Sequence, residues 1–259
     1  HNYPLGPGYG NPNLDEHIMN PRYHHHFIET AGNATETVTD LGDGRMGVWM
    51  GETGGAYNSG HNETSNAFIY AFWYLQVLGG FAAKGHNGFC RQTLIGGNYE
   101  LVDKVSHVPN PDYYALRLFN KLMSGKILDA NVSEGIAGDV TAWAQCTNVD
   151  AYKSSVTIVL LNYGNTTQDV IIAPIQPSPS LGRSSEWSAS LYLMTADSLK
   201  SRVVKCNDRE MRLGPNDEIP ECSPAPLKGN KGSVTLAMPK ESYAFVVIPA
   251  EVLNATVCA

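Results

Sequence analysis

The stretch Val48-Trp49-Met50-Gly51-Glu52-Thr53-Gly54-Gly55-Ala56-Tyr57-Asn58-Ser59-Gly60 changes character in its middle. Its first residues read as the end of a strand that begins near Arg45. The apolar run closes at Gly51-Glu52, and a loop of small and polar residues follows before the next helical pattern. A single carboxylate is thus placed where a strand stops. In a parallel α/β sheet or barrel, functional side chains sit at the C-terminal ends of strands, in the loops that lead to helices.

Working outward, residues 1 to about 126 alternate helical patterns with short apolar runs. Helical material spans Leu14 to about Asp40, with an interruption at Pro21. Ser65-Asn66 is a candidate cap for a helix to Leu78, with Gly79-Gly80 as its stop. Gly88 to Ile95 is another apolar run, and Asn110-Pro111 opens a helix that runs to about Met123. The rhythm helix, strand, helix, strand, helix belongs to a parallel α/β sheet or barrel. From Lys126 the pattern becomes β-rich: 156–163, 169–175, 189–196, 233–239 and 242–249 are strand-like runs separated by Gly, Pro, Asn and Asp. That is an antiparallel β-sandwich pattern. Two α/β units do not close a barrel, which needs eight strands. The expected domains are therefore 1–126, the C-terminal part of a (β/α)8 TIM barrel completed by another chain or segment, and 127–259, an antiparallel β-sandwich. The first residue is His1 rather than Met, so the chain reads as a processed or partial product of a longer precursor.

Of the 259 residues, 42% are hydrophobic and 17% charged, an ordinary globular composition. The net charge of −7 is a poor match for nucleic acid or any polyanion. No apolar run reaches the length of a membrane span, and Ala67 to Leu78 reads as a buried helix. Five N-x-S/T sequons begin at Asn33, Asn62, Asn131, Asn165 and Asn254. Composition alone supplies some of these, but five point to N-linked glycans and the secretory pathway, with a secreted, cell-wall or vacuolar/lysosomal destination. Four of the five cysteines lie in the second half, without a C-x-x-C pair that would hold zinc. Cys206 and Cys222 flank a polar loop, and Cys146 and Cys258 are placed to pin the C-terminus to an early strand. Four cysteines allow three pairings, and all three stay open on spacing. Cys90, in an apolar run, reads as a small buried hydrophobe.

Glu52 is the first candidate for chemistry, as nucleophile or base, with Trp49 and Tyr57 as aromatic platforms for a sugar. A solvated or capping loop carboxylate is the plain alternative. At the next strand end, Arg91 can keep a carboxylate ionised, or balance one in the core. Gln92 and Tyr99 are neutral donors suited to hydroxyl-rich ligands. His1-Asn2-Tyr3-Pro4 adds a third polar-aromatic cluster, unless it is an ordinary mobile terminus. His24-His25-His26 cannot share one metal, because successive helical residues point about 100° apart. It reads as a surface patch, and no metal or cofactor is expected. The Gly-rich loop lacks the lysine of a phosphate loop.

The segments VWMGETGGAYNSG, CRQTLIGGNYELVD, PNPDYYALRLFNKLM and QCTN, in this order, resemble the C-terminal half of heparanase-like proteins, the retaining β-glucuronidases of glycoside hydrolase family 79. GGAYNSG resembles the plant members most. The resemblance implies a barrel joined to a β-sandwich. It implies Glu52 as nucleophile, at the seventh strand end. It also implies a general acid/base Glu at the fourth strand end, on a segment outside this chain. Tyr57, Asn58, Ser59, Gly97 and Tyr99 map to the loops that read the glucuronate carboxylate. Gln92 maps to the eighth strand, and His1 and Tyr3 to the loop before the sixth helix. A Cys146–Cys258 disulfide is also implied. The function expected is a retaining β-glucuronidase acting on glucuronides or glucuronic-acid-containing glycans. Its partner would be the N-terminal chain of the same precursor. A different class is the alternative: a non-catalytic carbohydrate-binding or storage glycoprotein with a glycosidase-like fold. A related glycosidase of other specificity, such as a xylosidase, is a third reading.

Overall fold

The computed structural model describes residues 1–42, 45–133, 138–175, 186–230 and 232–258. It divides into two compact units, one of 1–116 with 197–203, the other of 117–196 with 204–259.

The first unit holds β1 (Gly6–Pro7), α1 (Leu14–Ile18), α2 (Pro21–Leu41), β2 (Val48–Thr53), β3 (Ala56–Tyr57), α3 (Tyr70–Ala83), β4 (His86–Arg91) and the start of α4 (Pro111–Leu122). Asn20 caps α2 by accepting the Arg22 N–H at 3.0 Å, with Pro21 in the first turn, so the proline starts a new helix. His24, Phe27, Ile28, Ala31 and Gly32 form its buried stripe at helical spacing. This corrects the surface reading of the three histidines. His24 is fully buried, its Nε2 2.9 Å from the Ile18 carbonyl, while His25 and His26 are exposed.

Helix α3 is buried on every face from Tyr70 to Phe81 and joins two parallel strands, β2 and β4. Its ends differ from expectation. Ser65 and Asn66 do not cap it; their side chains accept the N–H groups of His61 and Glu63 in the preceding turns. Gly79-Gly80 does not stop it either. A Cβ on Gly80 would overlap Ile28, so the glycine is there for close approach of α2. Segment 197–203 docks at the start of α3, where the Phe68 and Ile69 N–H groups donate to Ser201 and Leu199 at 2.8 Å each.

The second unit is all β: β5 (Met123–Leu128), β6 (Val140–Thr147), β7 (Ser155–Asn162), β8 (Gln168–Ile172), β9 (Glu186–Thr195), β10 (Lys205–Cys206), β11 (Arg209–Glu210), β12 (Ala225–Asn230), β13 (Ser233–Met238) and β14 (Ser242–Pro249). Hydrogen bonds join them in one antiparallel sheet of order β5-β6-β7-β14-β9-β12-β13-β8, with the β10–β11 ribbon attached through β9. β7 and β14 are buried on both faces, hence their unbroken apolar runs. β13 alternates buried and exposed residues. Residues from β6 and from β8, near opposite ends of the strand order, enter one core with β7, β9, β13 and β14. The structure pairs Cys146 with Cys258 and Cys206 with Cys222. Cys90 is exposed, against the expectation of burial. No helix among the described residues is long and apolar enough to cross a membrane.

Candidate active site

Glu52 lies in the last turn of the β2 pleat. β2 and β4 stay in register at Trp49↔Gly88 and Met50↔Phe89, then lose it between Met50 and Thr53. An irregularity of this kind re-aims a side chain, and Glu52 is inside it. The strand therefore does not stop at Gly51; it runs irregularly through Glu52.

The first eight residues are zipped along this segment. Backbone N–H groups of Asn2, Leu5 and Gly8 donate to the carbonyls of Glu52, Gly55 and Tyr57 at 3.1, 3.0 and 2.9 Å. β1 pairs in parallel with β3, and Leu5, fully buried, anchors the zip. A Cβ on Gly8 would overlap the Gly60 carbonyl, so the two backbones touch there.

This zip delivers Tyr3 and His1 to the Glu52 carboxylate. The Tyr3 hydroxyl donates to Oε1 at 2.6 Å, and His1 Nδ1 lies 3.3 Å from Oε2. The same hydroxyl touches the side-chain amide of Gln92. A phenol has one proton. It faces two acceptors, Glu52 Oε1 and Gln92 Oε1, and if it is given to Glu52 the Gln92 amide must turn to offer its NH2 to the tyrosine oxygen. Burial first, then the bond to Glu52, pushes the Tyr3 phenol well above its ordinary range, so it remains a donor.

Two loops border the carboxylate. Asn58, Ser59 and Gly60 are left-handed, and Ser59 accepts the Asn98 N–H at 2.6 Å. A Cβ on Gly97 would lie 3.0 Å from the Tyr99 ring and 3.3 Å from Ser59. A Cβ on Gly54 would meet the Gln92 carbonyl at 2.8 Å, the Tyr3 ring at 3.1 Å and the Tyr99 ring at 3.2 Å. His1, Tyr3, Glu52, Gln92, Ser59, Gly97 and Tyr99 thus converge. Tyr57 and Asn58 share the first loop with exposed side chains, and Trp49 is 65% exposed.

Arg91 does balance a core carboxylate: its Nη2 is 2.7 Å from Asp112 Oδ2, and both side chains are buried. Burial pulls each group toward neutrality, but a guanidinium keeps its proton in proteins. The Asp112 carboxylate and two tyrosines outweigh burial and hold Arg91 above its ordinary value. Asp112 was not legible as this partner, because an acid in a first helical turn already has a reading as a complement to the helix dipole. Tyr70, whose hydroxyl donates to Gly54 O at 2.5 Å and accepts from Ala56 N at 2.8 Å, carried no signal beyond an apolar helix.

All five sequon asparagines are exposed. Asn131 and Asn254 line a cavity of about 620 Å³ in the second unit, otherwise walled largely by apolar residues of β6, β7 and β8. Among the described residues, no group of three or more His, Cys, Asp or Glu side chains is placed to hold a metal ion.

Residues 1–79 match the model of the N-terminal domain of glycosyl hydrolase family 79. Baicalin-β-D-glucuronidase of Scutellaria baicalensis is 32% identical over 96% of this chain and 45% of its own length. Heparanase-like protein 1 of Arabidopsis thaliana is 31% identical over 96% of this chain and 49% of its own length. The chain therefore spans about half the length of these curated relatives. A 4-O-α-L-rhamnosyl-β-D-glucuronidase from Fusarium oxysporum superposes with a TM-score of 0.69 at 14% identity, over 96% of this chain and 52% of that one, which is a likeness of fold.

Proposed function

From the kinship of this chain with glycoside hydrolase family 79, we propose that it is the C-terminal part of a retaining β-glucuronidase, with Glu52 as nucleophile. The observation that carries the reading is the Glu52 carboxylate, in the irregular end of a parallel strand, with the Tyr3 hydroxyl at 2.6 Å and His1 at 3.3 Å. A retaining glycosidase needs one ionised carboxylate aimed at the anomeric carbon and a second, protonated carboxyl about 5–5.5 Å away. The general acid/base belongs to an N-terminal chain or segment of the same precursor. That segment also completes a (β/α)8 barrel with residues 1–126, while 127–259 form a β-sandwich. The β2-α3-β4 unit with parallel strands supports the barrel reading. One core shared by strands from both ends of the antiparallel sheet supports the sandwich.

Glu52 sits between loops that bring Ser59, Gly97 and Tyr99 together, and close backbone approach at Gly97 suits recognition of a uronate carboxylate. The substrates are glucuronides or glucuronic-acid-containing glycans, and the −7 charge argues against highly sulfated ones. Two disulfides and five exposed sequon asparagines support passage through the secretory pathway, with N-linked glycans.

The test is turnover of 4-nitrophenyl β-D-glucuronide by the full-length protein. Glu52→Gln should lower kcat by on the order of a thousandfold or more. A mechanism-based inhibitor should label Glu52 covalently. A wild type with neither turnover nor labelling would instead be the non-catalytic glycoprotein, and unchanged turnover in the variant would remove Glu52 from its role.

A further inference from the structure

We propose that Arg91 and Tyr70 are positioning residues that clamp the two loops flanking Glu52 to helix α3, and that the Arg91 half of this clamp governs recognition of the uronate carboxylate. The proposal rests on the glucuronidase reading of the site.

The Arg91 side chain is 4% exposed. Its Nε donates to the Gln92 carbonyl at 3.0 Å, and its Nη2 donates to the Tyr99 carbonyl at 2.8 Å as well as to Asp112. Gln92 and Tyr99 open and close the loop that also carries Gly97. One planar guanidinium therefore spans the base of that loop and fixes the separation of its ends. Balancing Asp112 needs only one edge of the fork. Two further donors, on Nε and Nη2, go to the backbone of the site loop, a use a purely structural ion pair does not require.

The guanidinium lies on the aromatic face of α3, 4.5 Å from the Tyr74 ring centroid, 5.2 Å from Trp73 and 5.4 Å from Tyr70. Tyr70 in turn holds the other loop, through Gly54 O at 2.5 Å and Ala56 N at 2.8 Å. The two loops meet where Asn98 N–H donates to Ser59 O at 2.6 Å. Arg91, at the end of β4 and lying over the aromatic face of α3, and Tyr70 of that helix thus hold the two walls. Hydrogen-bond recognition of a carboxylate depends on placement to within about 0.5 Å. Lysine at position 91 keeps the charge for Asp112 but cannot reach both carbonyls with a planar fork.

Arg91→Lys should therefore act on binding of the uronate more than on the chemistry at Glu52. In the full-length protein, KM for 4-nitrophenyl β-D-glucuronide should rise ~10-fold or more with kcat within ~3-fold, and the preference over the matching β-D-glucoside should fall. Tyr70→Phe keeps the ring under the guanidinium and removes the hydroxyl that ties down the loop after Glu52. It should lower kcat ~10-fold with little change in KM. An Arg91→Lys protein with wild-type KM and wild-type glucuronide preference overturns the proposal. So does one in which kcat falls while KM stays put. If Arg91→Lys does not fold, Tyr70→Phe decides, and wild-type kinetics there overturn the clamp. A wild type without glucuronidase activity brings down the functional reading and the proposal together, whereas an active wild type with indifferent variants brings down the proposal alone.

Discussion

Acid should destabilise the first unit through His24. The imidazole is fully buried in the apolar stripe of α2, with Nε2 2.9 Å from the Ile18 carbonyl. Burial first, with the neighbouring His17 as a lesser cause, pulls it from the ordinary 6.5 to about 4, against a raising effect of the Ile18 carbonyl. A folded value below the unfolded one means that the unfolded chain takes up the proton more readily. The fold therefore has its full stability above pH 6.5 and loses it as pH falls toward about 4. At 1.36 kcal/mol per pH unit, the gap between 6.5 and about 4 is worth about 3 kcal/mol, a large part of a typical domain's stability. The assay is urea unfolding across this range, comparing wild type with His24→Gln, which keeps an N–H donor for Ile18 but does not titrate. Other carboxylates and histidines contribute alike to both proteins, so the difference in slope isolates His24. Wild type should lose about 3 kcal/mol more than the variant between neutral pH and pH 4. Parallel pH profiles for the two would refute the reasoning.

Other outcomes follow from the same geometry. Tyr3→Phe removes a hydrogen bond to a charged acceptor while keeping the ring against Gly54, so kcat/KM for a glucuronide should fall ~10- to 100-fold. Unchanged kinetics would separate Tyr3 from Glu52. Gly80→Ala improves intrinsic helix propensity by up to ~1 kcal/mol but forces Ile28 aside, so a net loss of ~1–2 kcal/mol and a lower Tm are expected. Cys206→Ser with Cys222→Ser opens a loop with a sequence separation of 16 and should cost about 3 kcal/mol in the second unit, read by its unfolding midpoint in denaturant.

What could be read from the chain depended on how local its cause was. Asn110-Pro111 announces α4 because proline presets the first turn, and the helix does begin at Pro111. Yet the Asn110 side chain is spent elsewhere, on Glu100 O at 2.7 Å and on Arg202. Ser65-Asn66 has the same local signature and fails, because both side chains are claimed by the turns before them. Gly79-Gly80 looks like a stop until Ile28, some fifty positions earlier, is placed against it. β5 was missed, and β6 was anticipated only as an early strand at Cys146, because the runs 123–128 and 140–147 are not plainly apolar. The neighbour order of the sheet is a matter of long-range pairing, which no window of sequence records. At the site, the residue types around Glu52 were legible one loop at a time. The three-way contact of Tyr3, Glu52 and Gln92 was not, since its partners lie 49 and 89 positions apart.

That contact is held by main chain rather than by charge. Asn2 to Glu52, Leu5 to Gly55, Gly8 to Tyr57, Gln92 to Thr53 and Asn98 to Ser59 are all backbone hydrogen bonds, and they tie the N-terminal segment and both loops to one another. Where these backbones cross, at Gly8 on Gly60, at Gly54 and at Gly97, any Cβ meets another segment. A side chain added at Gly54 presses at once on the Gln92 carbonyl, Tyr3 and Tyr99, three of the groups whose placement matters. Because the interior is close-packed and backbone cannot give way as a flexible side chain does, the displacement passes to the Glu52 carboxylate through Tyr3. The sensitivity of the site to substitution should therefore track these glycines as closely as it tracks the carboxylate.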